Sequence, residues 1–353
     1  MRRVVHHRLV PREGPGLLSI VVPMYNEREV IPLLRAQLTE LADQFTHGCE
    51  IIVINDGSCD DTLDLLLDWG EADPRVRVVG LARNFGHQAA VTAGLDIANG
   101  DAIVVMDADL QDPPRVILDM LREYRRGYDV VYAQRSARAG EGLLKRFSAW
   151  AFYRAMRLLV HPDLPPDCGD FRLISRPCLD ALTSMRETHR FLRGMVAWVG
   201  FAQTVVRFDR PARAAGKTKY PLRKMLAFAW TAALSFSAAP LRLSLAGGAL
   251  LGFFGLADGV YAVGRHFLGY KNVAGWTSII AVMCLIGGGI LVSIGILGEY
   301  IGRIYEESKG RPLYLISLTA NLPETRVVPS AATTLPKTKT WPLATRARIG
   351  SGA

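Results

Sequence analysis

The chain has 353 residues, with 42 Lys plus Arg against 33 Asp plus Glu, a formal net charge of +9, and half of its residues hydrophobic. That length accommodates two domains, and the basic balance leaves nucleic acid, anionic lipid or a phosphorylated substrate as partner classes. The five Cys are odd in number and form no C-x-x-C pair, which argues against a disulfide framework or a zinc site and for reduced, cytosol-facing thiols.

Residues 1–16 form a basic tail without the apolar core of a signal peptide, so the segment after it is expected on the cytoplasmic side. Leu17 to Val22 is an apolar run too short for a helix and reads as a buried strand. It ends in Pro23-Met24-Tyr25-Asn26-Glu27, before a helical pattern from Glu29 to about Phe45. The arrangement repeats. Glu50 to Ile54 ends in Asn55-Asp56-Gly57-Ser58, with a helix opening near Asp60-Asp61, and Val76 to Leu81 ends in Arg83-Asn84-Phe85-Gly86-His87, followed by a helix over Gln88 to Ala98. Ala102 to Met106 ends in Asp107 and Asp109, and Asp112-Pro113-Pro114 starts the next helix. Strand and helix alternate to about Gly127, which predicts an α/β fold with a mostly parallel, doubly wound sheet. No G-x-G-x-x-G or Walker A loop is present.

In such sheets ligands bind outside the carboxyl ends of the strands, where Asp107 and Asp109 fall. Hard oxygen ligands at that spacing suit Mg²⁺ or Mn²⁺ bridging substrate phosphates, so a metal-diphosphate is the expected ligand. Alone, Asp-Ala-Asp is as compatible with one helix-capping acid and one solvated loop acid.

Asp129 to Ala133 gives a further strand leading to Arg135 and Arg138. Leu143 to Val160 alternates apolar and basic residues at helical spacing, as a helix on an anionic membrane surface or an ordinary core helix with a basic edge would. Asp167-Cys168-Gly169-Asp170-Phe171-Arg172 then precedes a short strand and helix, and Phe191 to Phe208 closes the soluble part. The basic stretch from Arg207 to Lys224 includes Lys217 and Lys219 and suits phosphate or lipid headgroups.

Met225 to Leu241 reads as an interfacial helix. About 243–264 and 273–298 are long and apolar enough to span a bilayer, with Asp258 the sole charge in the first. Basic residues crowd the approach and the exit, so the large domain and both termini are expected in the cytosol. The expected division is a tail at 1–16, a large α/β domain at 17–224, membrane-associated helices at 225–302, and a partly disordered cytosolic tail at 303–353.

With SIVVPMYNE, VINDGSCDDT, MDADLQDPP, GDFRLISR and AGKTKYPLR in this order, the chain resembles the family-2 glycosyltransferases of GT-A (Rossmann-like) fold. More narrowly it is similar to the polyprenyl-phosphate glycosyltransferases: bactoprenol glucosyltransferases, with dolichyl-phosphate mannose synthases as cousins. The resemblance implies inverting, metal-dependent transfer of a sugar from a nucleotide-sugar donor to a polyprenyl phosphate at the inner-membrane face. UDP-glucose and undecaprenyl phosphate are favoured, with GDP-mannose the alternative. It implies that Pro23, Tyr25, Asn26, Glu27 and Asp56 hold the nucleotide, and that Asp107 and Asp109 hold Mg²⁺ or Mn²⁺. Gln111 would lie near the sugar or the acceptor phosphate, and Arg135, Arg138, Arg193, Lys217 and Lys219 would meet the acceptor phosphate or the diphosphate. Asp170, with Asp167 as neighbouring alternative, takes the family's catalytic-base position. A phosphate monoester is already largely anionic at neutral pH, with a second pKa of about 6; an orienting role for Asp170 follows more naturally than proton removal. Family members often assemble through their membrane helices, so a homo-oligomer is a further expectation. The rival readings are a nucleic-acid binder, a processive polysaccharide synthase, and a non-catalytic membrane scaffold on a transferase fold.

Overall fold

The computed structural model describes residues 9–45, 48–135, 168–209, 239–268 and 276–322. Strands β1 (Leu18–Met24), β2 (Cys49–Asn55), β3 (Val76–Leu81) and β4 (Ala102–Val105) alternate with helices α1 (Ile31–Ala42), α2 (Thr62–Ala72), α3 (His87–Ile97) and α4 (Val116–Arg125). Strands β5 (Val130–Arg135) and β6 (Cys168–Ser175), helices α5 (Arg176–Ser184) and α6 (Leu192–Val199), and strand β7 (Gln203–Phe208) follow. Two long helices, α7 (Ala239–Phe267) and α8 (Trp276–Ser308), precede a last strand, β8 (Ile316–Ala320).

The strands form one eight-stranded sheet in the order β7-β5-β6-β4-β1-β2-β3-β8. β4, β1, β2 and β3 are mutually parallel, as are β5 and β7, whereas β6 and β8 run against their neighbours. The expected mostly parallel α/β sheet is thus present, with two reversed strands. Both faces are covered. Leu18, Ile20 and Val22 of β1 pack with Leu34, Trp69 and Met120 of α1, α2 and α4. Val21 of the same strand packs with Ile54, Val91, Leu182 and Met195 toward α3, α5 and α6. A strand apolar on both faces reads as an unbroken hydrophobic run, which is how β1, β2 and β4 appear in the sequence.

Pro23 is tolerated inside this central strand because β4 is short. The β1–β4 pairing ends at Val21 opposite Val105, so the absent Pro23 N–H removes no ladder bond on that side. At the amino ends of the strands, Glu50 is buried with its Oε1 accepting from Ser19 Oγ at 2.5 Å and Asn99 N–H at 2.7 Å, while its Oε2 faces the Arg77 charge, 2.5 Å away.

Three placements differ from the sequence reading. Asp170 and Arg172, expected in a loop before a strand, lie within β6, paired antiparallel to β4. Ala239 to Leu241, assigned to the interfacial helix, belong to α7; the rest of that helix, the amphipathic 143–160 segment and the basic stretch beyond Asp209 lie outside the described residues. Residues 303–320, assigned to the tail, complete α8 and return as β8, with Val79 opposite Thr319 and Gly80 opposite Leu318.

α7 and α8 are long and apolar enough to cross a membrane, over Pro240–Tyr261 and Leu285–Ser308, and neither stretch is buried within the chain. Their outward faces carry Leu243, Phe253, Leu291 and Val292, each more than 60 % exposed. Apolar surface of that extent left open to water marks a membrane or an interface.

Candidate active site

The carboxyl ends of β1 to β4 open on one side of the sheet, and main-chain geometry there is fixed by short polar side chains. Asn26, at a φ of 55°, donates its N–H to Ser58 Oγ at 3.0 Å, while its Oδ1 accepts from Cys59 N–H at 2.9 Å. Glu27 N–H donates to Thr62 Oγ1 at 3.0 Å. These bonds tie the loop after β1 to the loop after β2. Asp56 then ties β2 to the loop after β3, its two oxygens accepting from Phe85 N–H at 2.7 Å and Gly86 N–H at 2.9 Å. Burial pushes the Asp56 carboxyl above its usual range, against those two bonds and the nearby charges of His87 and Arg83. Gly57 is required: its φ is 65°, and a Cβ there would stand 2.5 Å from the Arg83 carbonyl carbon.

Of the residues expected to hold a nucleotide, Tyr25 is exposed, Asn26 and Glu27 brace the loop, Asp56 shapes the rim, and Pro23 is buried in β1 opposite Ile54. Asp107 and Asp109 sit just beyond β4, where Asp109 Oδ1 accepts the Gln111 N–H at 3.1 Å and Leu110 takes a φ of 56°. Gln111 is buried. Burial raises the Asp107 carboxyl; His87 opposes the shift, and the negative charges of Asp170 and Asp109 add to it. Among the described residues no cluster of three or more His, Cys, Asp or Glu could hold a metal by itself. Two carboxylates two residues apart at the end of a strand fit a divalent ion that takes its remaining oxygens from water and substrate phosphate.

Beside this pair Asp170 is gripped from three directions. Arg172 Nη2 donates to its Oδ1 at 2.6 Å, Arg193 Nε to the same oxygen at 3.0 Å, and His87 Nε2 lies 3.1 Å from Oδ2. His87 also approaches Asp107 Oδ1 at 3.7 Å. Burial would raise the Asp170 carboxyl, but Arg193, the His87 hydrogen bond and Arg172 hold it well below the usual carboxylate range. Burial opposes the charge of His87, as does Arg193, but the Asp170 hydrogen bond and the charges of Asp170 and Asp107 raise it above an ordinary imidazole. The period of β6 builds this site: Phe171 and Leu173 point to the α4 side of the sheet, while Asp170 and Arg172 point to the α3 and α6 side, where His87 and Arg193 begin their helices. Arg172 also stacks over Tyr132, 5.8 Å from the ring centre.

Asp109, Asp107, Asp170 and Arg193 are thus gathered at one end of the sheet. Asp167, Arg138, Lys217 and Lys219 lie outside the described residues, as does the side chain of Arg135, which ends β5. The sequence reading gave no role to His87 or Arg172. The Asp-x-Arg spacing in an alternating strand was the available signal for Arg172, and for His87 its place at the start of a helix after a strand's carboxyl end.

Comparison with known proteins agrees with this architecture. Glycosyl transferase family 2 matches residues 19–183. The chain is 43 % identical over 309 residues to the uncharacterized glycosyltransferase YkcC of Bacillus subtilis (strain 168), covering 88 % of this chain and 96 % of that protein. It is 38 % identical over 299 residues to the bactoprenol glucosyl transferase of Shigella phage SfV, covering 85 % and 97 %. The prophage bactoprenol glucosyl transferase homolog of Escherichia coli (strain K12) matches at 37 %, covering 85 % and 98 %. Likeness at this level over nearly the whole of each relative, on a sheet whose acids gather where the family's motifs fall, makes the chain a member of glycosyltransferase family 2.

Proposed function

We propose that this chain transfers glucose from a nucleoside-diphosphate sugar to a polyprenyl phosphate at the cytoplasmic face of a membrane. The observation that carries the reading is the juxtaposition of two unlike acidic sites, the Asp107–Asp109 pair at the end of β4 and Asp170 clamped by Arg172, Arg193 and His87, on a chain with two exposed apolar helices. The relatives' names support the sugar and the lipid.

Asp107 and Asp109 would hold Mg²⁺ or Mn²⁺ against the donor diphosphate; such an ion, when bound, neutralises charge developing on the leaving group. An acceptor phosphate oxygen forms the new bond to the anomeric carbon as the bond to the diphosphate oxygen breaks, its electron pair leaving with the nucleoside diphosphate. In-line attack inverts the anomeric configuration. Tyr25 and the braced loops of Asn26 and Asp56 would receive the nucleoside.

Asp170 is unsuited to removing a proton, since three cationic groups occupy its oxygens and suppress its basicity. The anionic acceptor needs no base. Asp170 instead holds Arg193 and His87 in place for the phosphate. Arg135, Arg138, Lys217 and Lys219 are assigned the approach of the lipid headgroup or diphosphate.

The test is a panel of radiolabelled nucleotide sugars with purified protein and undecaprenyl phosphate. Label should enter an organic-extractable lipid from UDP-glucose, require divalent cation, and vanish in Asp109→Ala. Label from GDP-mannose alone would overturn the sugar, and transfer surviving chelation would overturn the metal. Asp170→Asn should lower the maximum rate and keep the acidic limb of the pH–rate profile; loss of that limb would restore the base.

A further inference from the structure

Arg193 reaches Asp170 from the first turn of α6, and the turn before it, residues 185–191, is held by parts of the chain remote from the reaction. Thr188 N–H donates to Glu307 Oε2 at 2.9 Å, and His189 Nε2 lies 2.7 Å from Glu306 Oε2. Both glutamates belong to the last turn of α8. Arg186 Nη1 lies 2.7 Å from Asp96 Oδ2 on α3, and the same oxygen accepts the Tyr314 hydroxyl at 2.6 Å. Tyr314 belongs to the link between α8 and β8. That link is itself fastened to the sheet, where Ala82 N–H donates to Leu315 O at 2.8 Å. At the other end of the turn, Leu192 N–H donates to Gln88 Oε1 at 3.1 Å, one residue from His87.

We propose that Glu306, Glu307 and Tyr314 are positioning residues: the chain leaving the second apolar helix holds the 185–191 turn and thereby sets Arg193 on Asp170. The inference rests on the reading of Asp170 and Arg193 as the acceptor end of the site. Two features favour a positioning role over a structural one. The glutamates themselves are at the surface, with Glu306 at 53 % and the Thr188–Glu307 bond exposed, so they add little to global stability. Yet Glu307 bonds to, and Glu306 lies against, the segment that immediately precedes Arg193. Glu306 and Glu307 close the Leu285–Ser308 stretch, and Glu307 lies nine residues past Gly298, where the uncharged run of α8 ends, about 14 Å along the helix axis. A helix gripped by a bilayer would therefore fix the turn from outside the catalytic sheet, and a tilt of α8 would move the Arg193 guanidinium relative to Asp170. Attachment to the membrane and readiness of the acceptor end become one event.

The experiment uses the full chain in lipid nanodiscs with undecaprenyl phosphate. Hydrogen exchange of amides 187–194 is measured alongside steady-state kinetics and the melting temperature. The variants are Glu306→Ala with Glu307→Ala, Tyr314→Phe, and Glu307→Gln, which keeps an acceptor oxygen. The double variant and Tyr314→Phe should each raise exchange in 187–194 by about five-fold, the loss of one hydrogen bond. They should lower kcat by a similar factor with donor KM unchanged; the melting temperature should stay unchanged in the double variant, while in Tyr314→Phe it falls with the lost bond to the buried Asp96, and Glu307→Gln stays near wild type. Unchanged exchange overturns the proposal, as does raised exchange with unchanged kcat. A wild-type chain that transfers no sugar overturns the proposed reaction alone, because exchange in 187–194 still tells whether α8 holds the turn.

Discussion

Asp170 and Asp107 face the same cleft with opposite energetic signs, and neutralising each should move stability in opposite directions. Asp170 is the counter-ion of Arg172, which is as deeply buried, with their side chains 10 % and 4 % exposed and 2.6 Å apart. Removing one partner of a buried ion pair costs about 3–5 kcal/mol, because the remaining charge stays desolvated. Arg193 and His87 are 31 % and 42 % exposed, so water screens what they lose, and the lower figure of about 3 kcal/mol applies. For a domain of this size that is roughly 6–12 °C in melting temperature. Asp170→Asn should show such a drop at pH 7.5 in metal-free buffer. The pH dependence has a definite sign. The folded carboxyl is held below its unfolded value, so its contribution is complete above about pH 5 and is lost as pH falls through the carboxylate range. The difference between wild type and Asp170→Asn should accordingly shrink below about pH 4. In Asp107→Asn, relief from burial and from like charge should leave the melting temperature unchanged or higher without metal. An Asp170→Asn protein melting within about 2 °C of wild type, or an Asp107→Asn protein melting well below it, would refute this account of the cleft.

Three further outcomes are expected. Asp109→Ala should abolish transfer and also the rise in melting temperature that Mn²⁺ with nucleoside diphosphate gives the wild type, read by differential scanning fluorimetry. Gly57→Ala forces a side chain into the left-handed region against Arg83, so it should cost about 2 kcal/mol in denaturant titration and raise donor KM more than it lowers kcat. Arg193→Lys keeps the charge but loses the forked contact with both Asp170 oxygens; acceptor KM should rise at least about ten-fold, with donor KM unchanged in initial-rate measurements.

The half of the sheet built from β1 to β4 was legible because each strand is apolar on both faces and is followed by a helix of ordinary amphipathic pattern. The acids at their ends were legible for the same reason: an unbroken hydrophobic run that stops in carboxylates locates a strand terminus and a chemistry together. β6 was half hidden, because Asp170 and Arg172 give its amino end the polarity of a loop, and only pairing with β4 and β5 makes it a strand. β8 was invisible. Its five residues, Ile316 to Ala320, alternate between partly buried and exposed, follow a 33-residue helix, and are recruited by the free edge of β3 rather than by any local signal. The Asp170 clamp was unreadable in detail because residues 87, 170, 172 and 193 meet only through the crossovers that bring α3, β6 and α6 together.

The late arrival of β8 also bears on biosynthesis. As a nascent chain emerges, β3 forms the rim of a nearly finished sheet while both hydrophobic helices are still to be made, and its row of amide and carbonyl groups has no native neighbour until residue 320 is out of the ribosome. An unpaired rim of this kind invites pairing with another polypeptide. Ribosomes that stall or terminate inside the second hydrophobic segment would release proteins with a nearly complete reaction centre and a sticky border, prone to self-association rather than to slow work.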